Sequence, residues 1–292
     1  MPTTGEVKPF ISYADQIALL KRRGLIVSDD SNAMQILCRL NYYRLSAYSL
    51  TLRKNDEFYE GTTFDNIVAL YDFDVDFRKF ILQYTHLVEI SARAYIAYYH
   101  AKVHTPMGYL NNQFFVKENK HAQFITKLDS KMEHSSDVFV IHHKIHKNRV
   151  YPIWVAVEEM DFGMLSMFYK NMLSKDKDEI AKTNYNIPYR YVETYLQCSS
   201  VARNIAAHGG RFYNRINLSP EVKFSRFLTE KNIPNNTPFA YVLAVYALLA
   251  DVHKTDMTND LKNLFLKHPF AEPHRLGFPI DWKEIMQQSQ LH

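Results

Sequence analysis

The feature that most constrains the fold is a long helical pattern that begins at Phe64 and runs to about Lys102. No proline or glycine interrupts this stretch, and its apolar residues recur at intervals of three and four. A pattern of this length and period predicts one long helix with an apolar face, the spine of a helical bundle. The apolar positions on this face are Ile67, Leu70, Tyr71, Phe77, Ile81, Tyr84, Val88 and Ala92.

The remaining chain also has mainly helical patterns, so an all-α fold is predicted. Only 8 glycines accompany 20 tyrosines and 19 phenylalanines, and no glycine-rich phosphate loop occurs, which excludes Rossmann and P-loop chemistry. Pro188 fits the first turn of a helix that ends at Ala207. Further helices are predicted over 12–23, 32–53, 119–132, 137–147, 163–173, 175–183, 239–253, 257–267 and 281–288, with a short helix or buried segment at 153–160.

Composition favours a folded protein of a reducing compartment. With 47% hydrophobic residues among 292, the chain can bury a substantial core. Cys38 and Cys198 are too few for a disulfide framework or a zinc site. The N-terminus lacks an apolar signal core, and the most apolar stretch, 239–250, is too short to span a bilayer. A cytoplasmic location without a membrane role is therefore expected.

The net charge of +4 permits binding to a polyanion without requiring it. Basic residues concentrate in 142–149 and again in 203–226, where Tyr213 and other aromatic residues are interspersed. Arginines mixed with aromatic rings are typical of surfaces that hold phosphates and stack bases, although a solvated basic face gives the same pattern. The three histidines at 142, 143 and 146 have no accompanying metal-binding motif, so neither a metal nor another cofactor is predicted.

The chemistry-bearing motif is Arg203-Asn204 followed by His208 and the pair Gly209-Gly210. An imidazole can move a proton near neutral pH, a guanidinium can hold a phosphate, and an amide can orient either group. Arg-Asn with His four positions after the Asn is expected about 0.04 times by chance at this composition. These are the side chains needed to cut RNA without a metal.

Helical geometry places Asn204 and His208 on one face, whereas Arg203 lies about 140° round the helix from His208. Gly209 fits the position just past a helix end, where the helix dipole favours an imidazolium at His208. The alternative is that Arg203 and His208 only cap the helix.

A second Arg/His pair, Arg93 and His100, lies on the long spine helix and could form a second pole of the same site. Arg93 also lies one turn after Glu89, so an ion pair between these two residues is the stronger expectation.

Several ordered segments together resemble the abortive-infection (Abi) proteins of the AbiD/AbiF type, whose domain belongs to the HEPN superfamily. The resemblance covers roughly residues 10 to 255, and the C-terminal forty residues lie outside it. The segments are Leu19–Ile26, Leu40–Tyr48, Phe64-Asp65, Leu70–Asp74, Glu89-Ile90 with Arg93, Pro152–Val155, Phe162–Ser166, and Arg203-Asn204 with His208, Arg211, Asn214 and Arg215.

The resemblance implies a HEPN-like helical bundle over 61–255, with an N-terminal helical segment at 1–60 and a C-terminal helical tail at 256–292. It implies phage defence through growth arrest by a toxin-like component, and metal-independent RNA cleavage that leaves a 2′,3′-cyclic phosphate. Arg203 and His208 would be catalytic and Asn204 orienting. Arg211, Tyr213, Asn214 and Arg215 would bind RNA.

With one clear motif per chain, the resemblance implies a homodimer that completes the site, and it suggests a small non-coding RNA partner. The alternative function is a non-catalytic RNA-binding module, held by an RNA or an antitoxin, in which His208 is structural.

Overall fold

The computed structural model describes residue 7 and residues 9–289. It is 69% helical, and the described part contains fourteen α-helices and one two-stranded sheet. The predicted all-α fold is therefore confirmed. The residues divide into two compact units, the first comprising the described residues up to Phe77 with Leu264–Glu272, and the second Arg78–Asn263 with the described residues from Pro273 onward.

The first unit is built from three short helices, a small antiparallel hairpin and the start of the long helix. In the hairpin Arg53 pairs with Phe58. Its elements are α1 (Tyr13–Arg22), α2 (Asp30–Leu40), α3 (Tyr42–Ser46), β1 (Arg53–Lys54), β2 (Glu57–Phe58) and the first residues of α4 (Phe64–His104).

The second unit carries most of the helices, and both α4 and α13 contribute residues to each unit. Its further helices are α5 (Glu118–His134), α6 (Val138–His146), α7 (Ile153–Ala156), α8 (Phe162–Asn171), α9 (Ser174–Tyr185), α10 (Tyr189–Ala207), α11 (Arg226–Glu230), α12 (Pro238–Leu248), α13 (Asp251–Lys267) and α14 (Trp282–Gln288).

The core of the second unit forms where α10 packs between α8, α9 and α12. Every residue of α12 except Ala247 is buried, so this helix is apolar on all sides and has no solvent face. The Tyr241 hydroxyl donates a 2.7 Å hydrogen bond to the carbonyl of Pro220, which ties the segment after α10 to α12. The helix that carries the sequence motif is thus held on several sides.

The long helix predicted over 64–102 is confirmed, since α4 runs without a break from Phe64 to His104. The single helix predicted over 32–53 is wrong. Asn41 adopts φ +64° and interrupts it, and its side chain accepts a 2.9 Å hydrogen bond from the backbone N–H of Tyr43. Asparagine tolerates the left-handed region better than most residues, which explains a break without glycine or proline.

Two further differences lie near the C-terminus. The break between the helices predicted over 239–253 and 257–267 lies earlier, at 249–250. Leu249 is extended there, and Asp251 begins α13. An acidic residue is favourable in the first turn because it faces the positive end of the helix dipole. The short helix α11 had no predicted counterpart.

Replacing Gly277 with alanine should have a measurable effect on stability through packing. Its φ is +85°, and a Cβ there would lie 2.6 Å from Thr237 Oγ1, whereas Gly61 has φ +77° with nothing within 4 Å of the same position. Gly61→Ala should cost about 1–2 kcal/mol of unfolding free energy from backbone conformation alone. Gly277→Ala should cost about 1–3 kcal/mol more because of the overlap. Urea denaturation of both variants checks this, and equal midpoint shifts would contradict it.

Candidate functional site

The motif lies at the C-terminal end of α10, as the sequence predicts. His208 is the residue that ends the helix, and Gly209 follows with φ +67°. The N–H of Gly210 donates a 2.7 Å hydrogen bond to the carbonyl of Ile205, and that of Gly209 donates at 3.2 Å to Ala206. This pair of bonds is the Schellman arrangement, which requires a left-handed residue after the helix. The two glycines therefore fix where the chain leaves the motif.

Asn204 and His208 present their side chains to solvent. Both are exposed, and they lie one helical turn apart. Neither side chain has a hydrogen-bond partner among the described residues. The His208 imidazole is consequently open to a ligand rather than fixed in the protein.

Arg203 turns instead toward α4. Its Nε lies 3.7 Å from Glu89 Oε2, close enough for an ion pair but too long for a hydrogen bond. The Nε atom is buried and has no hydrogen-bond acceptor among residues 7 and 9–289, while the side chain as a whole keeps 26% exposure. The guanidinium is therefore held electrostatically with part of its surface open.

The same Glu89 carboxylate pairs with Arg93. Arg93 Nη2 donates to Glu89 Oε1 at 2.6 Å and to the carbonyl of Met160 at 2.8 Å, while Nη1 approaches Glu158 Oε2 at 3.4 Å. The ion pair expected between Glu89 and Arg93 is confirmed. Two carboxylates and two guanidiniums, which we call the Glu89 cluster (Glu89, Arg93, Glu158 and Arg203), balance in charge beside the motif.

The structure does not bring Arg93 and His100 together as an accessible second pole. His100 is fully buried and lies among Phe114, Phe115 and Phe168. Neither ring nitrogen has a hydrogen-bond partner in the part of the chain that the structure describes. Burial lowers the pKa of His100 to about 4, and the neighbouring His104 and His121 add to this effect. A neutral imidazole enclosed in the core cannot contact a substrate in this conformation.

The segment after the motif combines half-buried arginines with buried aromatic rings. Arg211 and Arg215 are both partly exposed, and Arg215 Nη1 donates to the carbonyl of Arg211 at 3.3 Å. Tyr213 is only 1% exposed, so its ring has no open face for the base stacking that the sequence suggests. Asn214 has φ +52° and forms part of a turn. The arginines, but not Tyr213, remain placed for ligand contact.

Sequence reasoning missed three features of this region. Nothing in the sequence connects Glu89 with Arg203, because their pairing depends on how α4 and α10 pack. Trp154 belongs to the segment predicted to be a short helix or buried, yet its side chain is exposed, as is that of Tyr98. The sequence pattern at 153–160 predicts local structure, but it does not indicate which rings face solvent.

The described part of the chain contains neither a metal-binding group nor a helix that could cross a membrane. No group of three or more histidine, cysteine, aspartate or glutamate side chains is arranged there to hold a metal ion. None of the helices in that part combines the length and apolar character needed to cross a membrane.

The fold and the motif together define an all-helical protein with an arginine–histidine pair at the end of a core helix. The family model for Abi-like proteins matches residues 35–214, a span that includes α4, the Glu89 cluster and the whole motif. The chain therefore belongs to the Abi-like protein family, and this membership points to abortive-infection phage defence. Neither the curated proteins nor the solved structures provide a match to the chain.

Removing the Glu89 carboxylate should destabilise the protein, because Glu89→Ala leaves two neighbouring guanidiniums without their shared counter-charge. Breaking a fully buried pair costs about 3–5 kcal/mol, and since these guanidiniums are partly exposed we expect about 2 kcal/mol. Glu230→Ala on α11 is the matched control, because it removes an exposed i,i+4 partner of Arg226 and should cost less than about 0.5 kcal/mol. Chemical denaturation measures both, and equal losses would contradict the role of Glu89.

His100 should make the protein acid-sensitive. Its folded pKa of about 4 lies below its usual value of 6.5, so the unfolded chain binds the proton more readily. The free energy of unfolding is therefore not reduced by His100 above about pH 6.5. It falls as the pH drops from there toward 4, by about 3 kcal/mol in total. His100→Phe should remove that part of the pH dependence. Parallel unfolding curves at pH 7.5 and 4.5 test it, and an unchanged difference would contradict it.

Proposed function

We propose that the chain is a metal-independent endoribonuclease that acts in abortive infection, and that within the Abi-like family it belongs to the AbiD/AbiF type of the HEPN superfamily. The proposal is supported by the exposed imidazole of His208, which has no hydrogen-bond partner among the described residues and lies beside exposed Asn204, with the Arg203 guanidinium on the same helix end. These groups suit proton transfer next to a phosphate.

In the proposed reaction a base removes the proton of a ribose 2′-hydroxyl, and the oxygen attacks the adjacent phosphorus. The bond from phosphorus to the 5′-oxygen breaks, and an acid protonates that leaving oxygen. The products are a 2′,3′-cyclic phosphate and a 5′-hydroxyl end. His208 supplies a proton-transfer group, and Asn204 orients the imidazole or the phosphate.

Arg203 stabilises the additional negative charge on the transition state through its Nη atoms, which make no hydrogen bond to another described residue. Glu89 acts as a positioning residue, because it faces the Nε side of that guanidinium. Arg211 and Arg215 hold the RNA backbone just past the helix end. This arrangement uses charge and geometry in place of a metal.

A homodimer completes the site in this proposal. The reaction requires both a base and an acid, and the motif of one chain presents one exposed histidine. A two-fold arrangement of two chains supplies the second imidazole by symmetry. A small non-coding RNA or an antitoxin would then restrain the assembled enzyme.

The alternative is a non-catalytic RNA-binding module. The observation that favours it is the ion pair of Arg203 with Glu89, which gives this arginine a structural partner. In that case the arginines bind an RNA partner and His208 takes no part in chemistry.

Cleavage of defined RNAs in EDTA tests the proposal. Wild-type protein should yield cyclic-phosphate ends, and His208→Ala and Arg203→Ala should each lower the rate by about 10²-fold to 10⁴-fold. Arg39→Ala, which removes an exposed arginine from α2 of the first unit, should leave the rate unchanged.

Light scattering on the same samples gives the number of chains. Cleavage by a strict monomer would contradict the two-chain site. RNA binding that survives His208→Ala in a protein without any cleavage would support the binding module instead.

A further inference from the structure

A groove of about 440 Å³ lies on the second unit beside the Glu89 cluster. One wall is α4, which presents Arg93, Tyr98 and Lys102, and the other is formed by Trp154 and Glu158 from α7 and the turn after it. Three alanines of α4 line it as well. Small side chains on a helix allow a flat ligand to approach the backbone closely.

Two large aromatic rings in this groove face solvent. Tyr98 is 72% exposed and Trp154 is 53% exposed. Large aromatic rings are normally buried in a folded protein. An exposed pair that lines one groove is typical of a binding surface. Tyrosine and tryptophan are also the side chains on which unstacked bases of single-stranded nucleic acid stack.

The charges of the groove fit a nucleotide better than an apolar protein surface. Lys102 is exposed and has no ion-pair partner among the described residues, so its ammonium is available to a phosphate. Among the described residues Glu158 accepts only a long 3.4 Å contact from Arg93, and it can accept a hydrogen bond from a base amino group. The buried centre of a protein interface is instead depleted of charged residues.

The groove is connected to the motif through two side chains, Arg93 and Glu89. Arg93 lines the groove and also binds Glu89, whose other oxygen faces Arg203. A strand whose phosphate lies at the motif can therefore extend a neighbouring base toward this groove.

We propose that this groove binds an unstacked base of single-stranded RNA by stacking on Trp154 and Tyr98, with Lys102 on a flanking phosphate. The proposal rests on the proposed function, since it concerns the RNA of the same site. It makes Trp154 and Tyr98 determinants of substrate choice and predicts that the enzyme discriminates against double-stranded RNA.

Binding of a 2′-O-methyl oligonucleotide tests the proposal, because this RNA lacks the 2′-hydroxyl and cannot be cut. Trp154→Ala and Tyr98→Ala should each weaken binding about 10-fold, measured by fluorescence anisotropy, because stacking contributes about 1–3 kcal/mol per base. Tyr43→Ala is the matched control, since Tyr43 is 70% exposed but lies on α3 of the first unit. It should leave the affinity unchanged.

Intrinsic fluorescence gives a direct readout of stacking. The chain has two tryptophans, and Trp282 is only 7% exposed. RNA should quench the emission of Trp282→Phe, in which Trp154 is the remaining reporter, and should leave that of Trp154→Phe nearly unchanged. A strand of abasic nucleotides carries the same phosphates but no bases. It should not quench the emission of Trp154, and it should bind more weakly than RNA with bases.

Equal affinity of Trp154→Ala and wild type, or equal quenching by the abasic strand, would overturn the groove assignment. A Trp154→Ala variant that becomes monomeric at unchanged RNA affinity would overturn it too, and would make the groove a contact between two copies. Loss of affinity in Trp154→Ala with no cleavage by wild type would support the groove while refuting the nuclease. Cleavage by wild type at a rate that Trp154→Ala does not change would support the nuclease and refute the groove.

Discussion

The Glu89 carboxylate is the interaction on which the arrangement of the motif depends. It accepts a hydrogen bond from Arg93 within α4 and lies opposite Arg203 of α10, so one buried anion restrains two cations from different parts of the sequence. Desolvating a carboxylate is unfavourable unless such partners are present. The carboxylate thereby ties the spine helix to the motif helix and sets the direction of the motif arginine.

That restraint has two sides. A guanidinium that is already oriented loses less freedom when a phosphate arrives, which favours catalysis by a preorganised charge. In the proposed reaction the same carboxylate would compete with the RNA phosphate for Arg203, so the phosphate would have to bind the guanidinium atoms that do not face Glu89. No described side chain restrains His208 in this way, and its position depends on the helix end and on the two glycines that follow it.

Local sequence signals predict much of the fold and part of the site. The uninterrupted spine, the end of α10 at Ala207 and the ion pair of Glu89 with Arg93 each follow from spacing along one helix. The break at Asn41 does not, because asparagine lacks the clear signal of glycine or proline. The burial of Tyr213 and His100 and the exposure of Trp154 depend on tertiary packing, which residue type alone does not determine.

The burial of α12 on all sides has a consequence for how the chain matures during synthesis. Phe239 of this helix contacts Phe278, with ring centroids 4.5 Å apart, and Phe278 in turn contacts Trp282. A nascent chain that ends shortly after α12 would leave this apolar helix without part of its cover. Because α10 packs directly on α12, the packing around the motif helix is complete only when the residues around Trp282 are present. A segment synthesised well after the motif thus completes the cover of the helix on which the motif helix packs.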